Sequence, residues 1–164
     1  MTPLYGWSVR GQRVIDYVSH GHWKTTTFLA ALRHDGLSAP MVIDGAINGE
    51  WFLAYVNKIL VPTLRKGEIV VLDNLSSHKV VGVKELIESA GAEVLYLPPY
   101  SPDFNPIELV FSKLKTMLRK LKSRTMEDLW KNLGEICDIF SKKECCNYFK
   151  HAGYRKNMNV LTNS

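Results

Sequence analysis

Cysteine is scarce: 164 residues contain three, Cys137, Cys145 and Cys146, all near the C-terminus. The odd count, with no CxxC pair and no histidine interleaved at ligand spacing, speaks against a disulfide framework or a cysteine-based metal site. They are expected to be reduced thiols that pack, because adjacent cysteines rarely reach good disulfide geometry. Long apolar runs are also missing. No window approaches the roughly 18 apolar residues of a membrane span, and Met1 to Gln12 lacks the apolar run of a signal peptide. A soluble, cytoplasmic chain without a membrane partner is expected. There is no internal repeat or low-complexity tract. With 46% hydrophobic and 23% charged residues, the composition is that of one globular domain and excludes a disordered or fibrous chain.

Charge is present but uneven. The formal net charge is +5, and Lys113, Lys115, Arg119, Lys120, Lys122 and Arg124 contribute six positive charges within 12 residues that contain no acid. The remainder of the chain is close to neutral. Apolar residues recur in the same stretch at Ile107, Val110, Phe111, Leu114, Leu118 and Leu121, a helical stripe that buries one face and turns the basic side chains outward. Such a face suits phosphates, and it equally suits plain solvation.

Periodicity predicts an α/β order. Two strands, at Gln12–Ser19 and Thr25–Leu32, are expected to form a hairpin. A short apolar run, 41–43, precedes a helix with Asn48 as its N-cap, running through Phe52, Val56 and Leu60. The β-branched run after Gly67 reads as a buried strand ending at Asp73, followed by a helix over 79–90 and a strand over 92–97. Beyond the proline-rich loop 98–106 the chain reads as helical nearly to its end, with breaks near Ser123 and Ser141. Trp7, Trp23, Trp51 and Trp130 are expected to pack in the core or at an interface. His20-Gly21-His22 reads as a turn or surface pair, because no third metal ligand lies nearby.

Two polar clusters stand out. Asp73 leaves the C-terminal end of the buried strand, followed by Asn74, Ser76, Ser77 and His78, where open α/β sheets bind ligands. It also suits a turn or an N-cap. Asn105-Pro106-Ile107-Glu108 has the spacing of a helix start with Asn105 as cap, Pro106 in the first turn and Glu108 as a capping-box acid. Held by a stiff loop beside the strand of Asp73, Glu108 is also placed to share a hard divalent cation, Mg²⁺ or Mn²⁺, with that aspartate.

Taken together, Val71-Leu72-Asp73-Asn74, Ser77-His78 and, 35 positions after Asp73, the segment Ser101-Pro102-Asp103-Phe104-Asn105-Pro106-Ile107-Glu108 resemble the catalytic core of DDE transposases. The mariner-related transposases of bacterial insertion sequences are the most similar branch. Gly11-Gln12-Arg13, His22 to Thr27 and Asn48-Gly49-Glu50 extend the resemblance over roughly residues 3 to 122. It implies an RNase H-like mixed sheet flanked by helices, in which three acids hold two Mg²⁺ ions for strand cleavage and strand transfer on DNA. By the same resemblance Asp73 and Glu108 are the second and third acids. Asn74 and His78 orient groups or contact phosphate, and Asn105 caps the helix that carries Glu108. Transposon ends and target DNA are the implied partners, with a homodimer or an upstream transposase segment completing the enzyme.

One departure matters. In the family the first acid lies on a strand before the segment matching Tyr5-Gly6-Trp7, and no acid precedes that segment here. The first catalytic Asp, its central strand and the end-reading helix-turn-helix are therefore expected to be absent, leaving an open sheet edge prone to association. Asp16 and Asp44 are the nearby acids that could substitute, and each reads more simply as a surface or turn residue. The expectation is an RNase H-like catalytic region over 1–122, lacking its first strand, with a helical extension over 123–164 packed on the same domain. Such a chain is an incomplete transposase fragment; the alternative is a non-catalytic DNA- or transposase-binding remnant.

Overall fold

In a computed structural model of the chain, the described residues are 7–13, 15, 25–121, 125–154 and 160–163. A five-stranded mixed sheet in the order β2-β1-β5-β3-β4 divides two helical layers. β1 (Thr26–Arg33) and β2 (Gly36–Asp44) are long because they are rich in apolar and β-prone residues. They form an antiparallel hairpin around the turn at His34 and Asp35. β3 (Ile69–Leu72) and β4 (Glu93–Tyr96) are short and parallel, and α2 (Val83–Ser89) makes the crossover. β5 (Val160–Asn163) lies antiparallel to β1 and parallel to β3.

α1 (Gly49–Tyr55) starts where the Asn48 side chain accepts from the Trp51 amide at 2.9 Å, the expected cap. It continues through a π-helical turn, Val56–Leu60, and a 3₁₀ turn, Val61–Thr63. Gly49 is required by packing, since a Cβ there would run into Val80 Cγ2. α3 (Ile107–Leu121), α4 (Met126–Cys137) and α5 (Lys142–His151) follow, the last two capped by Thr125 and Ser141. Alternation along the strands then fills two cores. Leu29, Ala31, Val70 and Leu72 face Phe52, Tyr55, Val56 and Ile87. Leu32 and Val71 face Val110, Leu114, Ile136 and Phe149.

Several expectations are corrected. β1 forms its hairpin with the chain that follows it; of 12–19 only Gln12, Arg13 and Ile15 are described, none of them in a strand. α2 begins at Val83 because 76–79 is a separate 3₁₀ turn and Gly82, at φ 100°, interrupts the backbone. The chain does not stay helical after α5. It ends in β5, which fills the position between β1 and β3, so that position is not an open edge. The physical reason is that the backbone groups of β1 and β3 facing each other across this gap need a strand between them, and 160–163 supplies it. Trp7, Trp51 and Trp130 are about half exposed or more, and Phe52, Tyr55 and Phe149 supply the core aromatics instead. Trp23, Asp16 and His20 to His22 lie outside the described residues. Cys145 is buried, all three cysteines are free, and burial pushes the Cys145 thiol up to about 11.

Candidate active site

β3 delivers Asp73 to the C-terminal edge of the sheet. Its carboxylate accepts from the Leu75 amide at 3.1 Å, which turns the chain away from the strand. The same oxygen, Oδ1, lies 2.6 Å from His78 Nδ1; the ring nitrogen meets no hydrogen-bond geometry there, so this is an electrostatic contact. His78 sits in the 3₁₀ turn Ser76–Lys79, 2% exposed. Its ring stacks on Phe52 of α1 at 4.1 Å, and its carbonyl accepts from Tyr96 Oη of β4 at 3.2 Å. Burial pulls the Asp73 pKa up, but the contact with His78 and the Leu75 amide outweigh it, leaving the carboxyl below its ordinary value of 3.8. His78 is thus packed against Asp73 from inside the protein, and at 2% exposure it is too buried to touch a phosphate.

Glu108 is exposed in the first turn of α3. It faces Asp73 across a cleft of about 370 Å³ that Asn74, Leu75, Asn105 and the loop 97–102 also line. Asn105 departs from the expected cap: its backbone carbonyl, not its side chain, receives the Glu108 amide at 3.1 Å. Its side-chain oxygen, Oδ1, is buried without a hydrogen-bond partner. Two carboxylates and this amide oxygen are hard oxygen donors, chemistry that fits Mg²⁺ or Mn²⁺. Among the described residues no group of three or more His, Cys, Asp or Glu is assembled for a metal. Asp44 ends β2, at the far edge of the sheet from β3 and outside the cleft.

The basic face of α3 is only partly free. Lys115, Arg119 and Lys120 are exposed. Lys113 is instead half-buried, 2.6 Å from Glu144 of α5 and above the Phe140 ring. Lys122 and Arg124 lie outside the described residues. Sequence reasoning missed Tyr100, fully exposed on the cleft rim at φ 56°, a left-handed conformation uncommon for a bulky residue. The signal was an aromatic caught between Pro99 and Ser101-Pro102, with no apolar periodicity to bury it.

The family model of the DDE superfamily endonucleases matches residues 1–130. The chain belongs to this family. The fold of this DDE family member is similar to three solved structures of Mos1 transposase. A paired-end complex with the left transposon end is 19% identical, with a TM-score of 0.71, covering 89% of this chain and 46% of that one. The catalytic domain of Mos1 mariner transposase is 18% identical, with a TM-score of 0.65, covering 77% and 74%. The same catalytic domain with raltegravir and Mg is 19% identical, with a TM-score of 0.65, covering 77% and 75%. This DDE chain thus spans under half of the Mos1 chain in the paired-end complex. No curated protein matches it. Among its described residues, no helix is long and apolar enough to cross a membrane.

Proposed function

We propose that this chain is the catalytic portion of a transposase that cuts and joins DNA, with Asp73 and Glu108 as the acids that hold Mg²⁺ or Mn²⁺. The observation that carries this reading is the convergence of both carboxylates, one from a strand end and one from a helix start, on a single cleft. A divalent ion there supplies charge neutralisation of the phosphate and an activated oxygen nucleophile. The protein's part is positional. His78 and the Leu75 amide keep Asp73 ionised and oriented. The proline-rich loop fixes where α3 begins, and so where Glu108 stands. Lys115, Arg119 and Lys120 line up phosphates along α3. Transposon ends and target DNA are the partners, as the paired-end complex of Mos1 suggests by analogy.

Among the described residues the cleft gathers two carboxylates, fewer than a two-metal site needs, and the reading has an upstream transposase segment or a second copy contribute a further acid. The test is cleavage and strand transfer with Mg²⁺ or Mn²⁺, comparing the chain alone with the chain joined to an upstream segment that carries the first acid. Activity only after complementation supports the reading, and robust cutting by the chain alone rejects its incompleteness. Asp73→Asn should abolish cutting in the complemented enzyme while leaving DNA affinity within about twofold, since the change removes a ligand charge and no phosphate contact. The exposed Lys115, Arg119 and Lys120 favour a second reading, a non-catalytic DNA- or transposase-binding remnant, if complementation restores nothing.

A further inference from the structure

Tyr100 sits at the cleft rim in a backbone conformation unsuited to it and buries nothing in return. Its φ of 56° is one that glycine or asparagine adopts readily and a bulky residue does not. Its relative exposure is 103%, so packing does not compensate. The loop that carries it is nevertheless tied down. The Ser101 hydroxyl donates to the Pro99 carbonyl at 3.2 Å, and the Asn105 amide to the Pro102 carbonyl at 2.9 Å. Tyr154, from the chain after α5, donates its hydroxyl to the Phe104 carbonyl at 2.9 Å. A stiff loop therefore holds a large, flat ring out in solvent on the same cleft as Asp73 and Glu108.

We propose that Tyr100 is a stacking platform for an unpaired nucleobase of the DNA strand whose phosphate lies at Asp73 and Glu108. The proposal rests on the catalytic reading above and adds how the cleft grips its substrate. Phosphates already have their partners in that reading, the acids through a cation and the basic face of α3. The faces of the bases have none. The loop wall of the cleft offers them an apolar surface, Leu97 to Pro99 and Pro102, with Tyr100 as its aromatic member. On the opposite wall Leu75, two residues after Asp73, is also exposed. A tyrosine supplies a rigid contact with little side-chain entropy to lose. A base inside a duplex is stacked on both faces, so the base that reaches Tyr100 is one at a frayed end or in a single-stranded tail. Every base has a π-face, so the contact adds affinity and fixes the strand's position without selecting sequence. Tyr100 is a substrate-positioning residue whose ring, not its hydroxyl, does the holding.

The test uses the full chain with Mg²⁺ and a fluorescein-labelled DNA duplex that ends in a short single-stranded 3′ tail, its binding followed by polarisation. In a parallel set, 5-iodouracil replaces each tail base in turn and the photo-cross-link is mapped by mass spectrometry. One tail position should cross-link to residue 100. Tyr100→Ala should weaken binding of the tailed duplex about tenfold and leave a blunt duplex unaffected. Tyr100→Phe should keep both affinity and cross-link. Tyr100→Gly, which suits the backbone there, should lose the affinity with no fall in melting temperature, an outcome that a merely structural role would not give. An abasic site at the cross-linking position should cost the wild type the same factor and cost Tyr100→Ala nothing, the coupling expected of two groups in contact. Salt-dependent DNA binding that Tyr100→Ala leaves unchanged, or a cross-link that avoids residue 100, overturns the stacking proposal and leaves the catalytic reading standing. No binding of either duplex by the wild type overturns both.

Discussion

At the residue scale, the two acids of the cleft are held very differently. Asp73 is fixed by a buried imidazole and a backbone amide, whereas Glu108 stands exposed in its helix turn. His78→Ala removes a fully packed ring from against Phe52 and should destabilise the fold by about 2–4 kcal/mol in urea unfolding, the cost of emptying a buried aromatic site. The pH dependence of that loss is itself a prediction. A carboxyl whose folded pKa is depressed contributes stability that is present above its unfolded value and is lost as pH falls through the folded one. Asp73 is such a group, so the gap between wild type and His78→Ala should narrow as pH is lowered from 6 towards 2. A gap independent of pH would mean that the ring contributes packing alone. Asp73 and Glu108 were legible as candidates from residue type and spacing. The role of His78 was not, because a motif records that a histidine is near an aspartate and not that Phe52, from a distant helix, covers its ring. The unpartnered Asn105 oxygen was equally hidden, since the sequence pattern of a cap does not say whether side chain or backbone does the capping.

At the scale of elements, two ion pairs tie distant segments together. Arg33 at the end of β1 donates to Glu68 at 2.8 Å and to the Thr63 carbonyl, and Glu68 also accepts from the Arg65 amide at 2.8 Å. This buried knot joins the first hairpin, the end of the long helix and the entry to β3. Glu68→Ala leaves a guanidinium buried without its counter-charge and should cost about 3–5 kcal/mol by urea unfolding. The second pair is Lys113 with Glu144, whose carboxyl is held below its ordinary value by the Lys113 and Tyr148 hydrogen bonds. The pair therefore persists from neutral pH down past 4.5, the ordinary glutamate value. Glu144→Gln releases Lys113 to phosphate and should steepen the slope of log affinity against log salt by about one unit in DNA titrations. Helix existence was legible here from period and caps; the pairing of α3 with α5 was not, because local periodicity says nothing about which charged side chain meets which.

At the scale of the whole molecule, basicity concentrated on one helix predicts DNA binding that is steeply salt-dependent. Reversing Lys115, Arg119 and Lys120 to glutamate should remove about three units of that slope while leaving the melting temperature within a few degrees, since all three side chains are exposed. The layer arrangement was legible: a strand, helix, strand unit followed by helices gives an α/β sheet with both faces covered. The strand order was not. The hairpin partner of β1 lies after it because the His34-Asp35 turn is local, and the 160–163 segment is too short and too polar at Thr162 to stand out as a central strand. Its place in the sheet has a temporal consequence. Residues 161–163 pair with Ala31, Leu32 and 70–72, so the innermost strand is made after every strand it touches. During vectorial synthesis the hairpin and the β3-α2-β4 unit can each form before it exists, and the sheet is joined across its middle last, by contacts of very long sequence separation that close slowly. Until then the nascent chain holds two half-sheets with facing edges, whose unpaired backbone groups stay open to association until residues 160–163 are made.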